Sequence, residues 1–129
     1  MGAPSRPDLA AYDEAVRMET SVMVKELRDL LGPRLVAFIA GVSETRAIHE
    51  WADGERKVRA PQVVDRLRVA FQVAKLIVAR DEPRVAQAWF QGLNPKLRDR
   101  SPARLLRDGD LEEVGPEVLA AARAFSAVG

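Results

Sequence analysis

Apolar residues recur at helical spacing along most of the chain, and no stretch shows the period-two alternation of a strand. The clearest pattern runs from Pro61 to Arg80. A narrow polar stripe there consists of Asp65, Arg68, Gln72 and Lys75, and the opposite apolar stripe consists of Val64, Leu67, Phe71, Ala74 and Val78. Val69, Val73, Leu76 and Ile77 widen the apolar surface further. We therefore expect a central helix that is covered on several sides, including by a second copy of the chain.

The other helices are recognised by their breakers and caps. The pattern predicts helices over 8–17, 20–31, 84–91 and 102–107, and a last amphipathic helix carrying Val118, Ala121, Ala122 and Phe125. Two of these helices end at Gly32-Pro33 and at Gly92, and another begins at Ser101-Pro102. We expect Gly115-Pro116 to interrupt the chain just before the last helix. The predicted fold class is all-α.

A helix-turn-helix is predicted between residues 35 and 51. Ala37 lets two helices approach closely, and Gly41 can adopt the positive φ of the turn without a Cβ penalty. Val42 fills the space between the helices, and Ser43 can cap the second one. The alternative is a purely structural hairpin, since the apolar plug, Ile48, falls one residue later than the usual spacing.

If this motif binds DNA, the start of its second helix faces the base edges of the major groove. The candidates there are Ser43, Glu44, Thr45, Arg46 and His49. An arginine can pair with a guanine edge in a bidentate manner. The loop beyond the helix supplies Arg56, Lys57 and Arg59 as candidate phosphate contacts. The alternative for each is an ordinary solvated surface residue.

Charge is distributed unevenly although the formal net charge is only +1. Residues 1–59 carry a net charge of −1, residues 60–107 carry +6, and residues 108–129 carry −4. A basic middle and an acidic end indicate two different partner surfaces, or simply solvated helix faces.

Several function classes find no support. The chain has no cysteine and a single histidine, His49, so no metal site is indicated. Neither a glycine-rich phosphate loop nor a catalytic constellation is present, and we expect no enzymatic activity, no catalytic residue and no cofactor. No apolar run approaches the roughly 20 residues of a membrane span, and the first residues lack a signal-peptide core. A cytoplasmic protein without membrane contact is expected.

The C-terminal half carries a recognisable set of residues. Ala88-Trp89, Asn94-Pro95, Leu97 and the segment from Ser101 to Gly109 resemble the toxin-binding domain of the Xre/MbcA/ParS antitoxin family. The segments 40–43 and 51–54 resemble the helix-turn-helix of that family. Together the similarity covers about Thr20 to Phe125.

The resemblance implies a helical homodimer whose N-terminal half binds the promoter of its own operon. It also implies a toxin encoded alongside, usually of the RES fold, which destroys NAD and whose active site the C-terminal region blocks. Candidate toxin contacts are then Arg104, Leu105, Arg107, Val118, Arg123 and Phe125. The corresponding division is a DNA-binding domain at 1–59, a central helix at 60–80 and a toxin-binding domain at 81–129. Two alternatives remain: a stand-alone transcriptional regulator, and an interaction adaptor that does not bind DNA.

Overall fold

The computed structural model describes the backbone of residues 6–128 and the side chains of residues 19–127. Regular structure in this part of the chain is helical, which confirms the predicted all-α fold. The α-helices are α1 (Arg6–Leu31), α2 (Pro33–Ala40), α3 (Thr45–Ala52), α4 (Pro61–Val78), α5 (Pro83–Gln91), α6 (Pro102–Asp108) and α7 (Leu111–Val128). A short 3₁₀ helix, Pro95–Leu97, lies between α5 and α6.

Helix α4 is the central post that its apolar pattern predicts. It packs against α1, α2, α5 and α7. Its buried residues are Leu67, Ala70, Val73, Ala74 and Ile77, and its predicted polar stripe is exposed. Because helices of the same chain cover α4 on these sides, its wide apolar surface does not by itself require a second copy.

Helix α1 is continuous where two helices were expected, over 8–17 and 20–31. The second of these helices was expected to begin at Thr20, but neither glycine nor proline separates the two segments. A threonine that can cap a helix is also tolerated inside one at a small cost in propensity. The second half of α1 is held in place by burial of Met23, Val24, Leu27 and Leu31.

Helix α7 also runs through its expected interruption at Gly115 and Pro116. Pro116 has no N–H to donate to the carbonyl of Glu112, and Glu112 is exposed to water. Beyond the proline, Val118, Ala121 and Ala122 are at most 4% exposed. Their burial against the rest of the core outweighs a proline penalty of about 3 kcal/mol.

Replacing Gly115 with alanine is expected to raise the free energy of unfolding by about 0.5–1 kcal/mol, the usual cost of a glycine inside a helix. An added Cβ would lie 3.6 Å from Leu111 Cδ1 and 3.8 Å from Val69 Cγ2, which are ordinary contact distances. Urea unfolding followed by circular dichroism measures the change.

Gly109→Ala is the control for this prediction. Here an added Cβ would lie 2.6 Å from Val114 Cγ1 and 2.8 Å from the carbonyl oxygen of Leu105. The close approach of α6 and α7 therefore leaves no room for a side chain, and we expect a lower free energy of unfolding. Similar losses at both glycines would contradict the packing described for α7.

Polar side chains join the C-terminal helices to the N-terminal half. Arg107 Nη1 donates to the carbonyl of Phe38 at 3.0 Å, and its guanidinium carbon lies 4.6 Å from the centre of the Phe38 ring. Gln87 Nε2 donates to the carbonyl of Leu30 at 2.9 Å. The buried apolar residues of both halves form one cluster. The division at 59/60 and 80/81 stays a prediction about the roles of the segments.

Candidate nucleic-acid interface and partner surface

The turn between α2 and α3 depends on Gly41. Its φ is +82°, in the left-handed region predicted for it from the sequence. Its N–H donates to Phe38 O at 3.1 Å and to Ala37 O at 3.0 Å, and the Val42 N–H donates to Ala37 O at 3.1 Å. This is a Schellman ending, which pairs carbonyls that the last turn of a helix would otherwise leave free.

Arg66 of α4 completes this turn, and sequence reasoning missed it. Its Nη1 donates to Ala40 O at 3.0 Å and also lies 3.3 Å from Ile39 O. The guanidinium group thereby satisfies the remaining carbonyls at the end of α2. Because 26 residues separate Arg66 from Ala40, no local pattern in the sequence could indicate the contact.

Helix α3 turns an apolar face inward. Ile48, Trp51 and Ala52 are its buried residues. The helix begins at Thr45, and its N-cap is Glu44 without a side-chain hydrogen bond, so the expected cap by Ser43 is wrong. The chain is still extended at Glu44, with φ −126° and ψ 141°, which places the Ser43 hydroxyl one residue too early to cap the helix.

The predicted base-reading residues lie on the outer side of α3 or in the turn before it. Ser43, Glu44, Arg46 and His49 are exposed, and Thr45 is half-buried. The described helices of this chain therefore leave this face accessible.

Two of these side chains have partners. Arg46 Nε lies 3.2 Å from Glu50 Oε1, one turn further along, while the arginine side chain remains 83% exposed. Arg28 Nη1 lies 3.1 Å from His49 Nδ1. Because a guanidinium group only donates, Nδ1 must accept, and the ring proton belongs on Nε2. His49 is thus arranged to offer an N–H donor.

The predicted phosphate contacts follow α3 in the loop that leads to α4. Arg56, Lys57 and Arg59 are all exposed. Val58 between them is 8% exposed and anchors the loop to the core. With Val58 held in the core, the three cations flanking it stay on the surface.

A shallow groove beside the turn adds cations that the sequence did not connect with α3. Arg34 of α2 and Arg107 of α6 line it together with Phe38, Glu44 and Arg46. Arg107, which the sequence offers as a candidate toxin contact, is half-buried next to the turn between α2 and α3.

The other candidate toxin contacts differ in exposure. Arg104 and Arg123 are exposed, and Phe125 is 37% exposed with its ring centre 6.3 Å from that of Trp89. Leu105 and Val118 are 4% and 0% exposed, which corrects their expected role. Helices α6 and α7 turn these two faces into the core, so both residues support the fold and do not reach a partner.

Leu93 is an exposed apolar residue that the sequence reasoning overlooked. It is 75% exposed in the turn after α5. A leucine between Gly92 and Asn94 lies outside the predicted helices and cannot belong to the apolar face of one. Its position in the sequence could therefore have indicated that it is exposed. Leu93 and Phe125 are the large exposed apolar residues in the described part of the C-terminal half, and such residues are candidates for a protein interface.

The Ser101-to-Gly109 motif forms a short capped helix. Ser101 Oγ accepts from the Arg104 N–H at 3.2 Å, which confirms the predicted cap. Gly109 ends α6 at the close contact with α7 described above. The motif therefore sets how α6 joins α7.

No protein-family model matches the chain, and no curated protein is significantly similar to it. A solved structure does match, the M. tuberculosis MbcT–MbcA toxin–antitoxin complex, with 28% sequence identity and a TM-score of 0.60. The match covers 81% of this chain and 94% of that chain. The chain is therefore similar in sequence and fold to a chain of a solved toxin–antitoxin complex, which supports its likeness to MbcA-like antitoxins. The resemblance predicted from the helix-turn-helix and the Ser101-to-Gly109 motif is confirmed.

Two further findings concern this MbcA-like chain. Among the residues that the structure describes, no group of three or more histidine, cysteine or acidic side chains could hold a metal ion. Within the same part of the chain, none of the helices is long and apolar enough to cross a bilayer.

Proposed function

We propose that this chain is a non-enzymatic antitoxin that binds the promoter of its own operon and neutralises a protein toxin. The observation that carries the proposal is an accessible helix-turn-helix on a chain similar to one from a toxin–antitoxin complex. The chain has exposed candidate residues both for DNA binding and for toxin binding.

In the DNA-binding arm, the start of α3 enters the major groove. Arg46 pairs with a guanine, and His49 Nε2–H donates to an acceptor on a base or phosphate. Arg56, Lys57 and Arg59 neutralise backbone phosphates, and Arg34 extends this basic surface. A homodimer would present two such helices to successive half-sites. Sedimentation at micromolar concentration tests the dimer, and a monomer there would count against it.

In the toxin-binding arm, the partner is a RES-type, NAD-degrading toxin, as the family resemblance implies. The contact surface includes Arg104, Arg123 and the exposed part of Phe125. The acidic 108–129 segment complements a basic cleft, and its Glu112 and Glu113 are exposed. Occlusion of the cleft requires no chemistry from the antitoxin.

The first experiment measures binding to the DNA upstream of the gene, compared with a scrambled duplex of the same composition. We expect a preference for the natural sequence and an affinity that falls with salt. Three phosphate contacts per protomer, and therefore six for the proposed dimer, correspond to a slope of about −5 in log affinity against log salt. Equal binding to both duplexes would contradict promoter recognition and favour an adaptor.

The second experiment tests the partner. Tagged full-length chain is co-expressed with the products of neighbouring genes, and purification is combined with a growth assay. The antitoxin function is supported if a neighbouring gene product is toxic when expressed alone, but is harmless and co-purifies with this chain when the two are co-expressed. If promoter binding is specific but neither neighbour is toxic, the chain is a stand-alone regulator.

Glu50→Gln is expected to strengthen promoter binding about two- to five-fold, the value of a surface ion pair. The substitution frees Arg46 from its partner and removes a negative charge from the DNA-facing helix. Fluorescence anisotropy at fixed salt measures the change. Glu26→Gln is the matched control, because Glu26 Oε1 pairs with Lys75 Nζ at 3.4 Å on α1 and α4. Equal changes in both variants would attribute the effect to net charge alone.

A further inference from the structure

Arg28 of α1 lies outside the helix-turn-helix but contacts the helix that is proposed to read DNA. Helix α1 packs against α3, and Arg28 Nη1 lies 3.1 Å from His49 Nδ1 across that contact. The Arg28 side chain is only 19% exposed, and its Nε lies 3.6 Å from the carboxylate of the neighbouring Asp29. A largely buried cation with a hydrogen bond to another helix is well placed to hold the imidazole ring.

The contact fixes what His49 can offer to a partner. Because a guanidinium group has no acceptor, Nδ1 accepts and the ring proton lies on Nε2. Nε2 is the ring nitrogen further from the backbone, and His49 is exposed on α3. His49 follows Arg46 by three residues, so the two side chains lie on the same side of the helix. With its acceptor nitrogen already used, the ring presents a donor to DNA.

The four bases differ in how they meet such a donor. In the major groove guanine presents N7 and O6 as acceptors, adenine presents N7, and thymine presents O4. Cytosine presents its N4 amino group, which is itself a donor. Two donors in contact leave both hydrogens unpaired, and this is disfavoured in a desolvated interface. A histidine held in this tautomer therefore discriminates against cytosine, whereas one that exchanges tautomers can accept from it.

We propose that Arg28 is a specificity-determining residue that acts through His49. It holds the proton of the imidazole on Nε2, so that this N–H donates to an acceptor on a base edge and cytosine is rejected at that position. Arg28 is thus a positioning residue. The inference rests on the promoter binding proposed above and adds to it the kind of base that His49 reads.

Nuclear magnetic resonance of the full ¹⁵N-labelled chain tests the first step without DNA, in mildly alkaline buffer so that the ring is neutral. His49 is the only histidine in the sequence, so the long-range ¹H–¹⁵N signals of the imidazole belong to it. We expect a protonated Nε2 and an unprotonated Nδ1. Arg28→Met keeps the apolar stem but removes the donor, and both nitrogen signals should shift toward each other as the second tautomer becomes populated.

Two further variants serve as controls. Arg28→Lys retains a donor on a side chain of similar length and should keep the wild-type ring signals. Lys25→Met removes the same charge from an exposed position of α1 and should also leave them unchanged.

Fluorescence anisotropy tests the second step with promoter duplexes that each carry one altered base pair. Besides the position that Arg46 reads, the wild-type chain should have one position at which cytosine lowers affinity about five-fold, the value of a single hydrogen bond. Arg28→Met should lose the preference at that position and keep the one that Arg46 sets. Arg28→Lys and Lys25→Met should retain both.

The proposal is overturned if the wild-type ring carries its proton on Nδ1, or if Arg28→Met leaves the ring signals unchanged. It is also overturned if Arg28→Met weakens binding to all duplexes equally, as the loss of a phosphate contact would. If the wild-type chain binds natural and scrambled duplexes alike, promoter recognition is wrong and the role in specificity falls with it. The ring signals would then still decide whether Arg28 positions His49.

Discussion

Replacing Arg46 with alanine is expected to weaken binding to the chain's own promoter by about 1–3 kcal/mol. It should also relax discrimination at one base pair, because a bidentate arginine distinguishes guanine from the other bases. Arg46 is 83% exposed, so the substitution should leave the free energy of unfolding nearly unchanged. Anisotropy against a set of operators, each altered at one base pair, measures affinity and preference together.

Two control variants separate base reading from general charge. Lys57→Ala should weaken binding to all the operators equally and reduce the salt slope by about 1 for each protomer that binds. Arg123→Ala removes the same charge from α7 and should leave promoter binding unchanged. If Arg46→Ala preserves both affinity and base preference, the placement of α3 in the groove is wrong.

Replacing Phe90 with alanine is expected to lower the free energy of unfolding by about 3–5 kcal/mol, the usual cost of emptying a buried aromatic site. Phe90 is 0% exposed, and its ring packs edge-on against Trp89 at a centre-to-centre distance of 5.5 Å. A domain of this size is stable by only about 5–15 kcal/mol, so this loss is a large fraction of the total. Urea unfolding monitored by circular dichroism measures it.

The matched control is Phe125→Ala, the same substitution at a 37% exposed position. We expect it to cost about 1–2 kcal/mol, since more than a third of the residue stays in water in the folded chain. The same variant should weaken the toxin complex, because Phe125 lies on the proposed partner surface. Equal losses of stability for the two phenylalanines would contradict the packing at the end of α5.

Helix boundaries were predictable where a residue acts on its own backbone. Gly41 can adopt a positive φ without cost, Ser101 carries the oxygen that caps α6, and Pro33 cannot continue the helix before it. The two wrong boundaries, between residues 17 and 20 and at Gly115-Pro116, are places where local signals were weak or were overcome. Burial of apolar residues along α1 and α7 stabilises these continuous helices by more than a missing cap or a proline destabilises them.

Most of the candidate DNA surface could be predicted from the sequence because α3 is amphipathic. Once Ile48 and Trp51 face the core, helical geometry directs Arg46 and His49 outward. The candidate toxin surface was less readable. Leu105 and Val118 were included by resemblance to a motif, and a motif does not say which of its residues face a partner.

From its sequence alone, this chain is determined to be helical, with α4 at the centre and a glycine-dependent turn before α3, because periodicity and single-residue conformational limits act locally. Contacts between distant segments were decided only by the tertiary structure. Arg66 on the end of α2, Arg107 on Phe38 and Arg28 on His49 each join segments far apart in the chain. Their formation depends on how the helices pack, and neither spacing nor composition encodes that packing in a form that can be read directly.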